Sequence, residues 1–305
     1  MSEFIISQMH IEAARNSTDD FNLFHDKNRW HHIQSNPFEG PIALGFQLGC
    51  FVEDQMNRST KNYASHLESK ELPSEDSELL NFSQYELSFA GSVKPGDTIE
   101  LVVRDGRFSE ISGVQCFTNR IALKANGKTV LLGYKRYSTQ HLVKGVVPLP
   151  ELSEVINGKD RSFIGTERYF LKRKYMIVGN AKNFLASAFA EQSEYIDEFA
   201  DKVSFPEMYP LSLVSSALLE RAKAEGHNLV EKPMIYVSHK LSIDRILLAG
   251  LKSNDALNIL VSSPHSTGNQ NSENVTQVCT CVLSNQQVIF HAEIQLVPLS
   301  ALLNR

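Results

Sequence analysis

The run Phe38-Glu39-Gly40-Pro41-Ile42-Ala43-Leu44-Gly45-Phe46 marks the entry to an apolar helix. A Gly-Pro pair closes the preceding loop, and Ile42, Phe46, Leu48, Gly49, Phe51 and Val52 leave no strongly polar face before Glu53 and Asp54. The pattern predicts a helix from Ile42 to Gln55, buried on nearly all sides. About twenty residues before Gly45 stands Asp19-Asp20-Phe21-Asn22-Leu23-Phe24-His25, so an Asp20-x-Asn22-x-x-His25 cluster precedes the glycine that opens the helix. A carboxylate and an imidazole five positions apart can hold one water, and a glycine amide at a helix start can polarise a carbonyl oxygen.

Working outward, Phe4 to Gln8 reads as a strand and Ile11 to Asn16 as a short helix. Beyond the long helix come Tyr85 to Phe89, a turn at Lys94-Pro95-Gly96-Asp97, and Thr98 to Val103 with a period of two. A hairpin follows, Gly113 to Lys124 and Lys128 to Tyr137, closed by Ala125-Asn126-Gly127, where Asn-Gly supplies the two left-handed residues of a tight turn. The second half repeats this order: strand Tyr169 to Val178, small helix Ala181 to Phe189, buried helix Tyr209 to Ala222, strands at Lys240 to Ile243 and Asp255 to Val261. A final hairpin then runs Val275 to Leu283 and Val288 to Val297. The offset between matched elements drifts from about 167 to about 154 and back to about 159, as changes in loop length produce. Residues 1–145 and 161–305 are therefore expected as two related domains, joined by a linker at 146–160 where Val-Pro-Leu-Pro-Glu-Leu gives way to Asn157-Gly158-Lys159-Asp160. A polar stretch, Asn57 to Glu78, reads as irregular, a surface insertion or a lid.

With 305 residues and 42% hydrophobic content the chain can bury a sizeable core. A formal charge of −5 argues against general nucleic-acid binding. Lys172-Arg173-Lys174 is the one compact basic cluster, a solvated strand edge or a phosphate contact. The N-terminal residues do not read as a secretory signal and no window is apolar enough for a membrane helix, so a cytoplasmic protein is expected. Four cysteines fit reduced core residues, with Cys279 and Cys281 on one strand face. No metal site is expected, since His31-His32 has no third ligand in view.

Asp20, Asn22 and His25, followed by Phe38, Pro41, Ile42 and Gly45, resemble the opening of the MaoC-like dehydratases and (R)-specific enoyl-CoA hydratases. The pattern of that family is Asp-x-Asn-Pro-x-His, a loop, then Phe-x-x-Pro-Ile-x-His-Gly. Two positions depart from it. Leu23 stands for the proline, relaxing a backbone constraint, and Leu44 for the histidine, removing a polar group beside the glycine. The clear motif covers about fifty residues, and the strand order extends a weaker likeness over the chain. The resemblance implies an α+β chain of two tandem hot-dog folds, each a long helix wrapped by antiparallel sheet, in the double hot-dog arrangement.

It also implies a lyase that adds water to a 2-enoyl thioester or removes it from a (3R)-hydroxyacyl thioester, on coenzyme A or an acyl carrier protein, with no cofactor and with a homodimer left open. Asp20 and His25 would then be catalytic, Asn22 orienting and the Gly45 amide the oxyanion donor, with Trp30, Phe38, Pro41, Ile42 and Leu44 around the pocket. The second half has lost the cluster, reading Ala188-Phe189-Ala190-Glu191-Gln192 there and Ser212 in the place of Gly45. A hot-dog thioesterase and a catalytically lapsed acyl-thioester binder are the alternatives. Lys135, Arg136 and Arg120 are candidate contacts for either carrier.

Overall fold

The structure, a computed structural model, describes residues 3–66, 80–145, 148–266 and 274–303. The first half contains β1 (Phe4–Ile5), α1 (Gln8–Thr18), α2 (Gly45–His66), β2 (Phe82–Phe89), β3 (Thr98–Val103), β4 (Arg107–Ile111), β5 (Val114–Ala125) and β6 (Lys128–Ser138). The second opens with α3 (Leu152–Asn157), β7 (Ser162–Ile164), β8 (Tyr169–Tyr175), α4 (Val178–Ser187), a ribbon of β9 (Ile196–Asp197) and β10 (Lys202–Val203), and α5 (Met208–Ala224). It continues through β11 (Met234–Asp244), α6 (Arg245–Ala249), β12 (Ala256–Val261), β13 (His265–Ser266), β14 (Val275–Val282), β15 (Val288–Pro298) and α7 (Leu299–Leu303).

One antiparallel sheet runs through both halves in the order β1-β3-β5-β6-β2-β11-β15-β14-β12-β8-β7, with β4 beside β5 and β13 beside β14. The order of one half is mirrored in the other, so each half is a long helix wrapped by its own sheet and the whole is a double hot dog. The halves join where β2 pairs with β11, and there Glu86 stands opposite Lys240. In the internal repeat Glu86-Leu87-Ser88-Phe89 matches Lys240-Leu241-Ser242-Ile243, so these two residues are equivalent and the approximate two-fold axis passes between them. On the other side of β2, Gly133 of β6 lets the two strands of the first half approach, since a Cβ there would stand 1.9 Å from the Glu86 carbonyl oxygen. The Asn126-Gly127 turn has both residues at positive φ, 48° and 78°, as a two-residue hairpin requires.

α2 and α5 form the centre of the core. Every residue of α5 from Met208 to Leu219 is buried, and Gly49 lets the two helices approach, since a Cβ on it would be 2.9 Å from Met208 Sδ. All four cysteines are free and buried.

Two local readings change. Asn57 to His66 is not irregular but continues α2, where Arg58 pairs with Asp54 one turn back at 2.7 Å; the remainder of that stretch, 67–79, lies outside the described residues. Part of the stretch read as linker folds into α3, whose Val155 packs with Tyr169, Leu171, Leu260 and Val282 in a small core of its own. No helix among the described residues is long and apolar enough to cross a membrane.

Candidate active site

α1 begins with a reciprocal cap in which Ser7 Oγ accepts the His10 N–H and His10 Nδ1 accepts the Ser7 N–H at 3.0 Å. It ends at Asp19 in the left-handed region, φ 53°, and that turn carries the next side chain inward. Asp20 is 3% exposed; its Oδ1 accepts the Asn22 N–H at 2.8 Å and its Oδ2 the Ser215 hydroxyl at 2.6 Å. Asn22 Oδ1 accepts the Phe24 N–H at 3.2 Å and so caps the 3-10 turn Leu23–His25. At the end of that turn His25, 6% exposed, places Nδ1 2.7 Å from the Ile42 carbonyl oxygen. A carbonyl only accepts, so Nδ1 carries the proton and Nε2 is the lone-pair nitrogen of the neutral ring. Burial lowers the His25 pKa, opposed by the Asp20 charge and the Ile42 bond, while Arg15 lowers it further.

Gly45 is the first residue of α2, where amides have no partner within the helix and the helix dipole is positive. A Cβ on it would stand 2.8 Å from Phe89 Cζ and 3.0 Å from His239 Cε1. A cavity of about 200 Å³ is lined by Asn22, His25, Phe38, Ile42, Gly45 and Tyr236, among others. A second, of about 680 Å³, shares Asn22, Phe24, Met234 and Tyr236 with it and extends along apolar residues such as Leu218 and Leu296. Asp20 lies behind these walls, and Trp30, Pro41 and Leu44 line neither cavity. Leu44 is 2% exposed in the main core, facing away from the opening.

The second half supplies groups that reading along the chain does not find. Ser215 on α5 donates to Asp20, and its oxygen is 3.0 Å from the Tyr236 hydroxyl on β11. Burial, with the Asp20 charge adding to it, raises the Tyr236 pKa and keeps the phenol protonated. His239, fully buried on β11, stacks on Phe46 at 4.4 Å and has no hydrogen-bond partner for either ring nitrogen among the described residues. Burial pushes its pKa down to about 3, so the ring is neutral. No motif spacing signals these three residues; only the packing of the halves brings them to the site.

The counterpart site in the second half is closed. α4 is followed by a left-handed Phe189, φ 58°, and then by Ala190, so no carboxylate stands where Asp20 does. α5 begins at Met208, which makes Met208 and not Ser212 the counterpart of Gly45; Ser212 lies a turn further on, its hydroxyl donated to the Tyr209 carbonyl at 2.6 Å. The amides at that helix start are taken by a side chain. Glu53, reaching from α2, accepts the Glu207 N–H at 2.8 Å and the Met208 N–H at 2.9 Å. Glu207 in turn accepts the Ser83 hydroxyl at 2.6 Å and the Tyr85 hydroxyl, and pairs with Lys135 at 3.5 Å. Burial and the nearby Glu207 charge raise the Glu53 pKa to about 8. Glu207 is pushed up by burial but held below its usual value by Lys135 and its hydroxyl donors.

The basic residues fall differently from the sequence reading. Lys172 and Lys174 are neither a solvated edge nor phosphate contacts: they are buried in ion pairs, Lys172 with Asp160 at 3.1 Å and Glu220 at 3.3 Å, Lys174 with Asp19 at 2.8 Å. Lys135 is fully buried between Tyr85, Tyr137 and Glu207 and cannot meet a carrier. Arg136 is held by Glu86 at 2.9 Å.

Among solved structures, the chain is similar to a MaoC-like dehydratase at 11% identity and TM-score 0.58, covering 97% of this chain and 95% of the other. It is likewise similar to a MaoC domain protein from Chloroflexus aurantiacus, described as a putative dehydratase, at 10% identity and TM-score 0.58, covering 98% and 93%. A Mycobacterium tuberculosis protein reported to have a double hot-dog fold matches at 12% identity and TM-score 0.56, covering 97% and 94%. No family model matches the sequence, and no curated protein does. At these identities the likeness is one of fold: the chain has the double hot-dog fold of the MaoC-like dehydratases over nearly its whole length.

Proposed function

We propose that the protein is an enoyl thioester hydratase, equally a 3-hydroxyacyl thioester dehydratase, working at His25 and Asp20 beside the start of α2. The observation that carries this reading is the placement of a neutral imidazole with a defined tautomer and a helix-start glycine amide on the wall of one cavity, with a buried carboxylate behind the imidazole. Hydration needs those parts. His25 Nε2 takes a proton from water as the oxygen bonds to the β-carbon, the electron pair of the double bond moves onto the thioester oxygen, and the Gly45 N–H with the helix dipole stabilises that oxyanion. The protonated ring, favoured by the Asp20 charge, then returns its proton to the α-carbon, so that one water is added and nothing else is consumed. Asn22 sits where the two cavities meet, and its cap bond holds the turn that presents His25.

The two neighbouring cavities, with Asn22, Phe24, Met234 and Tyr236 in both walls, suit a substrate with two arms, an acyl chain on one side of the thioester and a pantetheine on the other. Coenzyme A and an acyl carrier protein share that pantetheine, so the reading covers both carriers. The test is turnover of crotonyl-CoA and longer enoyl-CoAs by the protein and by Asp20→Asn and His25→Ala. Loss of the conjugated absorbance without free thiol is expected from the protein, with kcat reduced by about 10²–10⁴-fold in His25→Ala. Full activity in both variants would remove the site from these residues, and thiol release would favour a thioesterase.

A further inference from the structure

The hydrogen bonds around Asp20 cross from one half to the other. Ser215 has a single hydroxyl proton and donates it to Asp20 Oδ2 at 2.6 Å. The remaining contact of its oxygen, 3.0 Å to the Tyr236 hydroxyl, is therefore one in which Tyr236 donates. The chain thus has one direction, from Tyr236 through Ser215 to Asp20, and its two donors stand on α5 and β11 of the half that has no catalytic cluster. Asp20 and Ser215 are 3% and 1% exposed, so water does not compete for these bonds. Tyr236 at the far end lies on the wall of both cavities and shares it with Asn22, the residue next to Asp20 in the cluster.

Resting on the hydratase reading, we infer that Ser215 and Tyr236 of the second half are positioning residues that fix the Asp20 carboxylate through the Ser215 hydroxyl. Asp20 Oδ1 is already held by the Asn22 N–H, so the Ser215 bond at Oδ2 is the one that fixes rotation of the carboxylate. Without it the carboxylate turns about its own axis and its charge no longer stands at a set place beside the imidazole. This assigns the second half a part in the reaction beyond completing the sheet, and gives a reason for a buried serine and a half-buried tyrosine there.

The experiment compares Ser215→Ala, Ser215→Thr, Tyr236→Phe, Asp20→Asn and the double variant Asp20→Asn with Ser215→Ala, all in the full chain, for hydration of crotonyl-CoA. Ser215→Ala is expected to lower kcat about 10–100-fold with KM within about three-fold, Ser215→Thr to retain more activity than the alanine variant, and Tyr236→Phe to lose less than Ser215→Ala. On the Asp20→Asn background, Ser215→Ala is expected to cost nothing further, because Ser215 acts through Asp20. An unchanged kcat in Ser215→Ala, or the same loss on both backgrounds, overturns the assignment. The ¹³C resonance of the Asp20 carboxylate, assigned by its disappearance in Asp20→Asn, reads the bond apart from turnover and is expected to move in Ser215→Ala. A resonance that stays in place overturns the positioning role. A protein that hydrates no enoyl thioester while this resonance moves overturns the functional reading and leaves the hydrogen-bond chain standing.

Discussion

At Gly45 the side-chain position must stay empty for Phe89 and His239, and the proposed reaction asks in addition that the amide face the substrate. Gly45→Ala would place a methyl 2.8 Å from Phe89 Cζ and 3.0 Å from His239 Cε1, both ends of rings packed in the core. The expected outcome is a loss of stability of about 1–3 kcal/mol, read from urea unfolding, together with lower kcat as the wall of the cavity shifts. An alanine variant with unaltered stability would show that these rings yield freely. Asp20, Asn22, His25 and Gly45 were legible in the sequence because they lie within one short segment and their spacing is fixed by a single turn and helix start. Ser215, Tyr236 and His239 were not. They stand nearly two hundred residues away on other elements, and a serine beside Ser212 and Ser216 carries no mark of the carboxylate it will meet.

Helices α2 and α5 reach across to each other's halves in opposite senses: α5 sends Ser215 to Asp20, and α2 sends Glu53 to the start of α5. The internal carboxylate occupies the amides at the start of α5, the place that Gly45 holds at the start of α2. Its pKa, raised from 4.5 to about 8 by burial and the Glu207 charge, has a signed consequence. Protons bind the folded state more tightly, so this contribution is complete below pH 4.5 and is lost as pH rises through about 8. Glu53→Gln, which resembles the protonated acid, is expected to match the parent most closely in urea unfolding at pH 4.5 and to exceed it at pH 8.5. Equal falls in both proteins between those values would contradict the raised pKa. Among the elements, the long hairpins and buried helices followed from their periods, whereas β4, reading Arg-Phe-Ser-Glu-Ile with four exposed positions, has no buried face to produce a period. The second part of α2 escaped because the run Asn57-Arg58-Ser59-Thr60-Lys61-Asn62 carries no apolar period in the sequence.

Across the whole molecule, neutral histidines stand in and beside the seam between halves, His239 fully buried and His141 and His291 half-buried. His141, after β6, places Nδ1 2.5 Å from Ser242 Oγ on β11 and lies 4.9 Å from His291 on β15; His239 stands further along β11. Burial lowers His141 and His291 to about 4 and His239 to about 3, each from 6.5. Folded-state values below the unfolded one mean that stability is fully present above pH 6.5 and is lost as pH falls towards 4, when the unfolded chain takes up protons first. Opposed by the raised Glu53 and Asp54 carboxyls, these three groups place the expected stability maximum near pH 6.5, measurable as Tm against pH. A Tm still rising at pH 8.5 would contradict it. The repeat that defines this seam was legible because matched strands keep their order, and Glu86 opposite Lys240 is where the sequence repeat and the structural two-fold coincide.

The central claim, that water adds across the double bond of a thioester at this site, is tested most directly with ¹⁸O-labelled water and crotonyl-CoA, followed by mass spectrometry of the product. The account predicts one ¹⁸O in the 3-hydroxyl group of an intact thioester. Label found in a free carboxylate, or crotonyl-CoA recovered without label, would contradict it.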